Sequence, residues 1–233
     1  SAIIKAVIDK QAAQWQSFQE EIPEARAPEI GEHLTLGSEQ ATALAELKPE
    51  GVHLLFGVTG SGKTEIYLQA IAKTLLAGKQ ALVLVPEIGL TPQTIQRFQD
   101  RFKVGVVAMH SGLTDRERLA AFRQAASGSA SVIIGTRSAI FTPMKTPGLI
   151  VIDEEHDASF KQQEGFRYSA RDLAVMRGQQ ENIPVILGSA TPSLESYANA
   201  KSGKYKLLRL TERANAAQIA EYKIIGIEHQ QLT

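Results

Sequence analysis

The chain has 233 residues, 43% of them hydrophobic and 21% charged, a composition that excludes wholesale disorder and fibrous repeats. Lysine and arginine together number 25, as do aspartate and glutamate, so the formal charge is zero and a polyanion would have to be held by local basic patches. The absence of cysteine excludes disulfides, thiol catalysis and cysteine-ligated zinc, and no apolar run reaches the ~18 residues of a membrane span. We therefore expect a soluble, cytoplasmic protein with one large domain, no zinc within these residues and no membrane contact.

An amphipathic helix is predicted at the start of the chain. Ile4, Ile8 and Trp15 recur at helical spacings and share one face. A series of prolines that begins at Pro23 breaks this pattern within an acidic stretch. We interpret residues 1–33 as a helix and linker whose apolar face packs within the protein, with a partner surface as the alternative.

Short apolar runs alternate with helical stretches between residues 34 and 212. The runs are rich in β-branched residues or leucine and largely lack a two-residue alternation, which is typical of strands covered on both faces. The predicted strands are His53–Val58, Ala81–Val85, Val104–Met109, Ser131–Gly135, Leu149–Ile152, Pro184–Leu187 and Tyr205–Leu210. The predicted helices include Glu65–Ala77, Pro92–Phe102 and Asp115–Ala126. This order predicts an α/β fold with a doubly wound, mostly parallel sheet, whose ligands bind at the carboxyl ends of the strands.

A phosphate-binding loop is predicted between the first core strand and the helix that follows it. The pattern G-x-x-x-x-G-K-[ST] is matched in full by Gly57, Val58, Thr59, Gly60, Ser61, Gly62, Lys63 and Thr64. Glycines let successive amides turn toward a phosphate, and the new helix adds its positive N-terminal end. In such a loop the lysine reaches the β- and γ-phosphates and the last hydroxyl ligates Mg²⁺. The alternative is a glycine-rich turn with an incidental lysine.

Acidic residues at the end of another predicted strand would complete this site. The apolar run that ends at Ile152 leads directly into Asp153, Glu154, Glu155 and His156. An aspartate there can hold Mg²⁺ through its water shell, and Glu154 is placed to orient or deprotonate the attacking water. His156 is predicted to sense the γ-phosphate, with ordinary hydrogen bonding in a loop as the alternative. The acids themselves could instead belong to an ordinary polar loop.

An aromatic and basic segment follows the acids. Phe160, Lys161, Phe166, Arg167 and Tyr168 fall within nine residues that also include a glycine and two glutamines. Unpaired bases stack on aromatic rings while cations hold the adjoining phosphates, so this mixture predicts a mobile loop that binds single-stranded DNA. Packing of the aromatic side chains in the core is the alternative.

Several strings along the chain carry a family resemblance. In order they are LGSEQ, which contains Gln40, then GVTGSGKT, VPEIGLTPQ, GTRSAIFTP, DEEHD and GSATPSLES. This series resembles the first RecA-like lobe of superfamily-two DNA helicases, and the fuller strings are similar to the bacterial replication-restart helicases typified by PriA. The wider superfamily often has alanine where Glu155 stands. The resemblance implies a RecA-like P-loop lobe over residues 34–212 and a linker toward a second lobe over residues 213–233.

The resemblance also implies roles for individual residues. Gln40 would read the adenine of ATP, since an amide both donates and accepts hydrogen bonds. The segment that holds Phe160 and Tyr168 would be the loop that makes hydrolysis depend on bound DNA. The residues expected to grip the DNA backbone or to couple it to the nucleotide are Pro86, Glu87, Thr136, Arg137, Ser189 and Thr191. A surface salt bridge is the alternative for Arg137, and capping of the next helix is the alternative for Ser189 and Thr191.

The implied function is that of the ATP-binding motor lobe of a 3′–5′ DNA helicase in replication restart and primosome assembly. Lys63, Asp153, Glu154 and His156 would act in hydrolysis, with ATP and Mg²⁺ bound and Thr64 and Asp153 holding the metal. Implied partners are single-stranded and forked DNA and, in the full-length protein, replication-restart and single-strand-binding proteins at the bacterial nucleoid. An ATP-dependent duplex translocase and an ATP-binding docking module are the alternatives.

One expectation concerns the 233 residues by themselves. The second lobe of the family carries an arginine finger, which contributes on the order of 10³–10⁵ in rate for P-loop hydrolysis. We expect this chain alone to bind nucleotide weakly, to turn ATP over barely if at all, and not to unwind DNA.

Overall fold

A computed structural model describes residue 23 and residues 26–31 and 34–214. The helix predicted within the first 22 residues lies outside the described residues, as does the predicted linker beyond residue 214.

The strands of the described part of the chain are β1 Val52–Gly57, β2 Gln80–Leu84, β3 Val106–Met109, β4 Val132–Gly135, β5 Pro147–Ile152, β6 Lys161–Gln162, β7 Tyr168–Ser169, β8 Val185–Ser189 and β9 Lys206–Leu210. Seven of them form one parallel sheet in the order β3-β4-β2-β5-β8-β1-β9, and β6 and β7 form a separate short antiparallel pair. All seven predicted strands are confirmed, with ends displaced by at most two residues. The predicted α/β fold with a parallel sheet is confirmed.

Helices cover both faces of the sheet. They are α1 Ser38–Ala45, α2 Lys63–Leu76, α3 Pro92–Phe102, α4 Asp115–Ser127, α5 Ala170–Glu181 and α6 Leu194–Lys201. The three predicted helices correspond to α2, α3 and α4. Their starts are encoded locally, since the Thr91 hydroxyl accepts from the Thr94 amide before α3, and Thr114 and Glu117 form a capping box before α4.

Two apolar layers explain why the strands lack a two-residue alternation. Leu54 belongs to the apolar layer that includes residues of α4 and α5, whereas its neighbour Leu55 belongs to the layer that includes residues of α1, α2 and α3. Both side chains are fully buried, which is worth about 1.5–3 kcal/mol for each leucine. Because both faces of the sheet are covered, successive strand residues are all apolar.

The strand order places three loops side by side. β8 lies between β5 and β1, in parallel register with both. The carboxyl ends of parallel strands meet at one edge, so the loops that follow β1, β5 and β8 are neighbours. These loops begin at Val58, Asp153 and Ala190. The fold therefore brings together the phosphate loop, the acids and residues 189–191, here called the serine–threonine segment, from distant parts of the sequence.

A buried histidine in β1 makes the stability of the lobe depend on pH. His53 is 1% exposed, and its Nε2 accepts a hydrogen bond from the Lys48 amide at 3.0 Å. Burial lowers the pKa of His53 below its ordinary value, with nearby lysines adding to this effect. The unfolded chain therefore takes up a proton first as the pH falls. Stability from this residue is fully present above the unfolded pKa and is lost as the pH falls toward the folded pKa.

We predict that the His53→Gln variant loses less thermal stability than the unmodified chain between about pH 7 and pH 5. Glutamine can still accept from the Lys48 amide but takes up no proton. Thermal unfolding followed by circular dichroism at several pH values measures the difference, and His110→Gln, in the loop after β3, controls for loss of a histidine as such. Equal pH slopes for His53→Gln and the unmodified chain would contradict the prediction.

Candidate nucleotide site and nucleic-acid interface

The loop between β1 and α2 is shaped as a phosphate cradle. Gly60 and Gly62 both have φ of +81°, a conformation that favours glycine. Gly62 also lies against the Gln40 side chain, and a Cβ at this position would overlap the Gln40 amide nitrogen. Because Gly62 is the N-cap of α2, the amides of Lys63 and Thr64 stand at the positive end of that helix.

Two side chains of this loop carry polar atoms suited to an anion. Lys63 is 8% exposed, and its Nζ donates to the Gly57 carbonyl at 2.8 Å, so the ammonium lies over the loop. The Ser61 hydroxyl is buried and has no hydrogen-bond partner among the described residues. A buried hydroxyl without a partner is rare in folded proteins, and a phosphate oxygen would satisfy it. The predicted loop therefore fits a phosphate group by its backbone and by its side chains.

One cleft unites this loop with the predicted acids. Its volume is about 640 Å³, and its lining includes Lys63, Thr64, Asp153 and Glu154. Glu154 has a φ of +48°. The other described non-glycine residues with positive φ are Lys103 and Asn182, and each of these is the C-cap of a helix, whereas Glu154 lies in a loop. A left-handed conformation at a non-glycine residue costs about 1–3 kcal/mol and recurs at functional sites.

The Asp153 carboxyl is held in an unfavourable electrostatic environment. Burial raises its pKa above the ordinary value, and the adjacent Glu154 raises it further. The Tyr67 hydroxyl at 3.2 Å and the Glu154 amide at 3.1 Å donate to it and oppose the shift. The cleft thus contains two neighbouring carboxyl groups that a bound dication would stabilise in their charged form.

Tyr67 is a site residue that the sequence analysis missed. Its hydroxyl is a donor, because burial raises the pKa of Tyr67 well above its ordinary value and the charge of Asp153 adds to that shift. A Cβ at Gly188 would overlap the same hydroxyl, so the glycine makes room for the Tyr67–Asp153 contact. The signal that could have identified Tyr67 is its helical spacing, one turn after Lys63 and Thr64 on α2.

His156 contacts the serine–threonine segment after β8. Its Nδ1 lies 2.7 Å from the Ser189 hydroxyl and 3.5 Å from the Glu154 carboxylate, and its Nε2 lies 3.3 Å from the Thr191 hydroxyl. The imidazole therefore joins the acidic loop to this segment, and its role toward the γ-phosphate stays a prediction. The capping alternative for Ser189 and Thr191 is wrong, since the N-cap of α6 is Ser193.

Gln40 braces the phosphate loop. It lies on α1 and is 8% exposed, its Oε1 accepts from the Gly37 amide, and its Nε2 donates to the Ser61 carbonyl, both at 2.8 Å. One further donor and one further acceptor position remain on the amide. Gln40 lines the cleft, and adenine recognition by it stays a prediction.

Residues from distant segments complete the wall of the cleft. They are Leu34, Arg97 on α3, and Glu212, Arg213 and Ala214 after β9. The Ala214 amide donates to the Gly60 carbonyl at 2.9 Å, and the Glu39 carboxylate accepts from the amides of Thr211 and Glu212. The chain that leaves the sheet is thus fastened to the phosphate loop and to α1. No local pattern in the sequence predicts these contacts, because they join residues that are far apart in the chain.

The predicted DNA-contacting segments after β2 and β4 lie on the other half of the same sheet edge. Glu87 is exposed in a short 3-10 turn, whereas Pro86 and Thr136 are buried. Arg137 Nη1 donates to the carbonyls of Ser159 and Lys161 at 3.1 and 3.0 Å. Arg137 therefore anchors the start of the aromatic segment. Its contacts are with backbone carbonyls, not with a carboxylate as in the salt-bridge alternative.

The aromatic segment is a short hairpin built on β6 and β7. The DNA-stacking prediction is wrong for Phe160, which is 2% exposed and packs in the core, in the layer that holds α4 and α5. Phe166 is 78% exposed, and its ring centroid lies 6.0 Å from that of Tyr168. Tyr168 in turn lies 5.0 Å from Phe141, a half-exposed ring that the sequence analysis missed. Lys161 and Arg167 are exposed beside these rings.

The DEAD/DEAH box helicase family matches residues 38–200. The chain belongs to this helicase family. The match begins at α1, covers the phosphate loop and the acids, and ends within α6.

Curated relatives of this helicase chain include replication restart proteins named PriA. The chain is 52% identical over 202 residues to the protein from Haemophilus influenzae, with 85% of this chain and 28% of that protein covered. It is 46% identical over 205 residues to the protein from Bacillus subtilis, with 85% and 26% covered. The predicted resemblance is confirmed, and the chain spans about a quarter of the length of these relatives.

Solved helicase structures share the fold. RecG bound to a three-way DNA junction matches with a TM-score of 0.59 and 25% identity, over 80% of this chain and 25% of that chain. The helicase domain of Pyrococcus furiosus Hef matches with a TM-score of 0.54 and 22% identity, over 75% and 38%. The predicted RecA-like fold is confirmed. In the described part of this helicase chain, every helix is too short or too polar to cross a bilayer.

Proposed function

We propose that this chain is the ATP-binding motor lobe of a DNA helicase that acts in replication restart. The observation that carries the proposal is the single cleft that the phosphate loop and the two acids line together. The similarity to replication restart proteins named PriA supports the role in replication restart. We propose further that the longer protein moves along DNA in the 3′–5′ direction and takes part in primosome assembly. Its partners would be single-stranded and forked DNA, together with other replication-restart proteins.

The chain's own groups would bind the triphosphate in defined ways. Lys63 and the first amides of α2 would neutralise the β- and γ-phosphates. Thr64 and Asp153 would hold Mg²⁺, directly and through its water shell. These two residues fit Mg²⁺, because the metal prefers oxygen ligands and they supply a hydroxyl and a carboxylate. Burial makes the negative charge of Asp153 unfavourable, and a bound cation would offset that charge. When bound, Mg²⁺ would supply positive charge that offsets the negative charge of the phosphates.

Glu154 would be the residue that acts on water. Its carboxylate would orient the attacking water and take up its proton as the new bond to the γ-phosphorus forms and the bond to the bridging oxygen breaks. Lys63 would stabilise the charge that develops on the leaving phosphate. The contacts of His156 with Glu154 and with Ser189 support a role in positioning this carboxylate.

We predict that Glu154→Gln lowers the DNA-stimulated ATPase rate of the full-length protein by about 10²–10⁴-fold while ATP binding is nearly unchanged. Glutamine keeps the size of the side chain but cannot accept a proton. Steady-state ATPase assays and binding of a fluorescent ATP analogue measure the two effects, and Glu50→Gln, in an exposed loop, is the matched control. If Glu154→Gln kept normal function in replication restart, the ATP-binding docking module would be the better interpretation.

The hairpin is the element best suited to unpaired DNA. Phe141, Phe166 and Tyr168 present adjacent rings, and Lys161 and Arg167 supply positive charge beside them. Stacking of a base on an aromatic ring is worth about 1–3 kcal/mol and tolerates any sequence, as a moving helicase requires. Contacts of the cations with phosphates would add salt-dependent affinity.

We predict that Phe166→Ala in the full-length protein lowers the DNA-stimulated ATPase rate more than the basal rate, because the exposed ring contacts DNA and little else. Phe160→Ala should lower both rates together, since removal of a buried phenylalanine side chain costs about 3–5 kcal/mol of stability. Titration of single-stranded DNA into the ATPase assay separates the two results, and Leu76→Ala, an exposed apolar residue of α2, is the control. An equal loss of both rates in Phe166→Ala would contradict the proposed DNA contact.

A further inference from the structure

The side chain of Glu155 turns away from the nucleotide cleft into the interior, although the residue follows Glu154 directly. It is fully buried, and both of its carboxylate oxygens accept hydrogen bonds. Its Oε1 accepts from the Ser193 amide at 2.7 Å, and its Oε2 accepts from the Ser193 and Ser196 hydroxyls at 3.0 and 2.8 Å. Arg171 Nη1 donates to the same Oε2 at 3.2 Å. A buried carboxylate with this many partners is fixed in place.

Arg171 connects this carboxylate to the hairpin. It is the second residue of α5, which begins directly after β7, and it is 7% exposed. Its Nη1 also donates to the Ser193 hydroxyl at 2.6 Å, and its Nε donates to Asp172 at 3.1 Å. The guanidinium therefore joins the end of the hairpin to the acidic loop and to the N-cap of α6.

The two ends of the hairpin are anchored differently. At its start, Arg137 donates to backbone carbonyls on either side of Phe160. At its end, Arg171 reaches Glu155, whose own amide donates to the Gly188 carbonyl at 3.0 Å. Of these two anchors, only the second makes a direct contact with the acidic loop. The Arg171–Glu155 pair is thus a short physical connection between the hairpin and Glu154.

On the basis of the proposed function, we propose that Glu155 is a positioning residue that transmits DNA binding from the hairpin to Glu154. A base stacked on Phe166 or Tyr168 would change the position of the hairpin and, through Arg171, that of the network that holds the Glu155 carboxylate. Because hydrogen bonds join Glu155, Arg171 and Ser193 to one another, movement of Arg171 would be passed on to Glu155. The left-handed backbone of Glu154, one residue away, would then be set in the orientation that water activation requires.

The test is Glu155→Gln in the full-length protein. Glutamine keeps the volume and can still accept from the Ser193 amide, but it removes the buried charge that faces Arg171, while the carboxylates of Asp172 and Glu195 stay at 3.1 and 3.8 Å from it. We expect the ratio of DNA-stimulated to basal ATPase rate, at saturating single-stranded DNA, to fall by about 5- to 150-fold, the usual range of coupling between sites. The DNA concentration that gives half of the maximal stimulation should stay within about twofold of normal, because Glu155 does not contact DNA.

Two further variants sharpen the result. Arg171→Lys keeps the positive charge but loses the planar fork that contacts Glu155 and Ser193 together, so it should lower the same ratio. The double variant should be no worse than the more impaired single variant, because both changes break one connection. Glu181→Gln, which removes the carboxylate charge that faces Arg177 at the far end of α5, is the matched control and should leave the ratio unchanged.

Three other results would contradict the proposed role of Glu155. Equal losses of basal and stimulated rates, together with a lower melting temperature in both single variants, would make the network purely structural. An increase in the DNA concentration for half-stimulation, with a normal maximum, would place Glu155 in DNA binding instead. A normal ratio in Glu155→Gln and in Arg171→Lys would overturn this inference alone, whereas absence of DNA stimulation in the unmodified protein would overturn the proposed function as well.

Discussion

The site depends on the parallel pairing of three strands. β8 is hydrogen-bonded to β1 on one side and to β5 on the other, so the segments after all three strands share one edge of the sheet. Parallel pairing needs long crossover connections, which is why Lys63, Asp153 and Ser189 are far apart in the sequence and close in the fold. Apolar packing on both faces of the sheet stabilises this arrangement, and the polar chemistry is confined to the loops.

Several features of the loops that line the nucleotide cleft lower the stability of the lobe. Asp153 is buried beside Glu154, which raises its pKa, and Glu154 itself has a left-handed backbone. The Ser61 hydroxyl is buried without a partner among the described residues. Each feature is unfavourable in the lobe by itself, and a triphosphate with its metal ion would offset the charge of the carboxylates and supply an acceptor for the Ser61 hydroxyl. This conflict between stability and local chemistry is typical of functional sites.

The features that could be predicted from the sequence are those that depend on a short, continuous stretch of residues. The phosphate loop and Asp153 are recognisable because glycines and strand-end acids have a short, fixed pattern. α5 was not predicted, since its buried positions include small residues such as Ala174 and Gly178 that form no visible apolar stripe. The contact between Tyr67 and Asp153 joins residues 86 positions apart, which no local pattern contains. Phe160 was assigned wrongly, because an aromatic residue beside a basic segment does not reveal whether its ring packs in the core, and Phe160 lies in a 3-10 turn just before β6.

The central claim is that the phosphate loop and the acids bind one triphosphate, and nucleotide binding by this chain tests it most directly. ATP affinity is measured by calorimetry with and without Mg²⁺. The account predicts that Mg²⁺ strengthens binding, that Lys63→Ala weakens it by roughly 10- to 100-fold in both conditions, and that Asp153→Asn abolishes only the gain from Mg²⁺. Lys79→Ala, after the end of α2, should bind normally. Unchanged binding by Lys63→Ala, or a full Mg²⁺ effect in Asp153→Asn, would contradict the account.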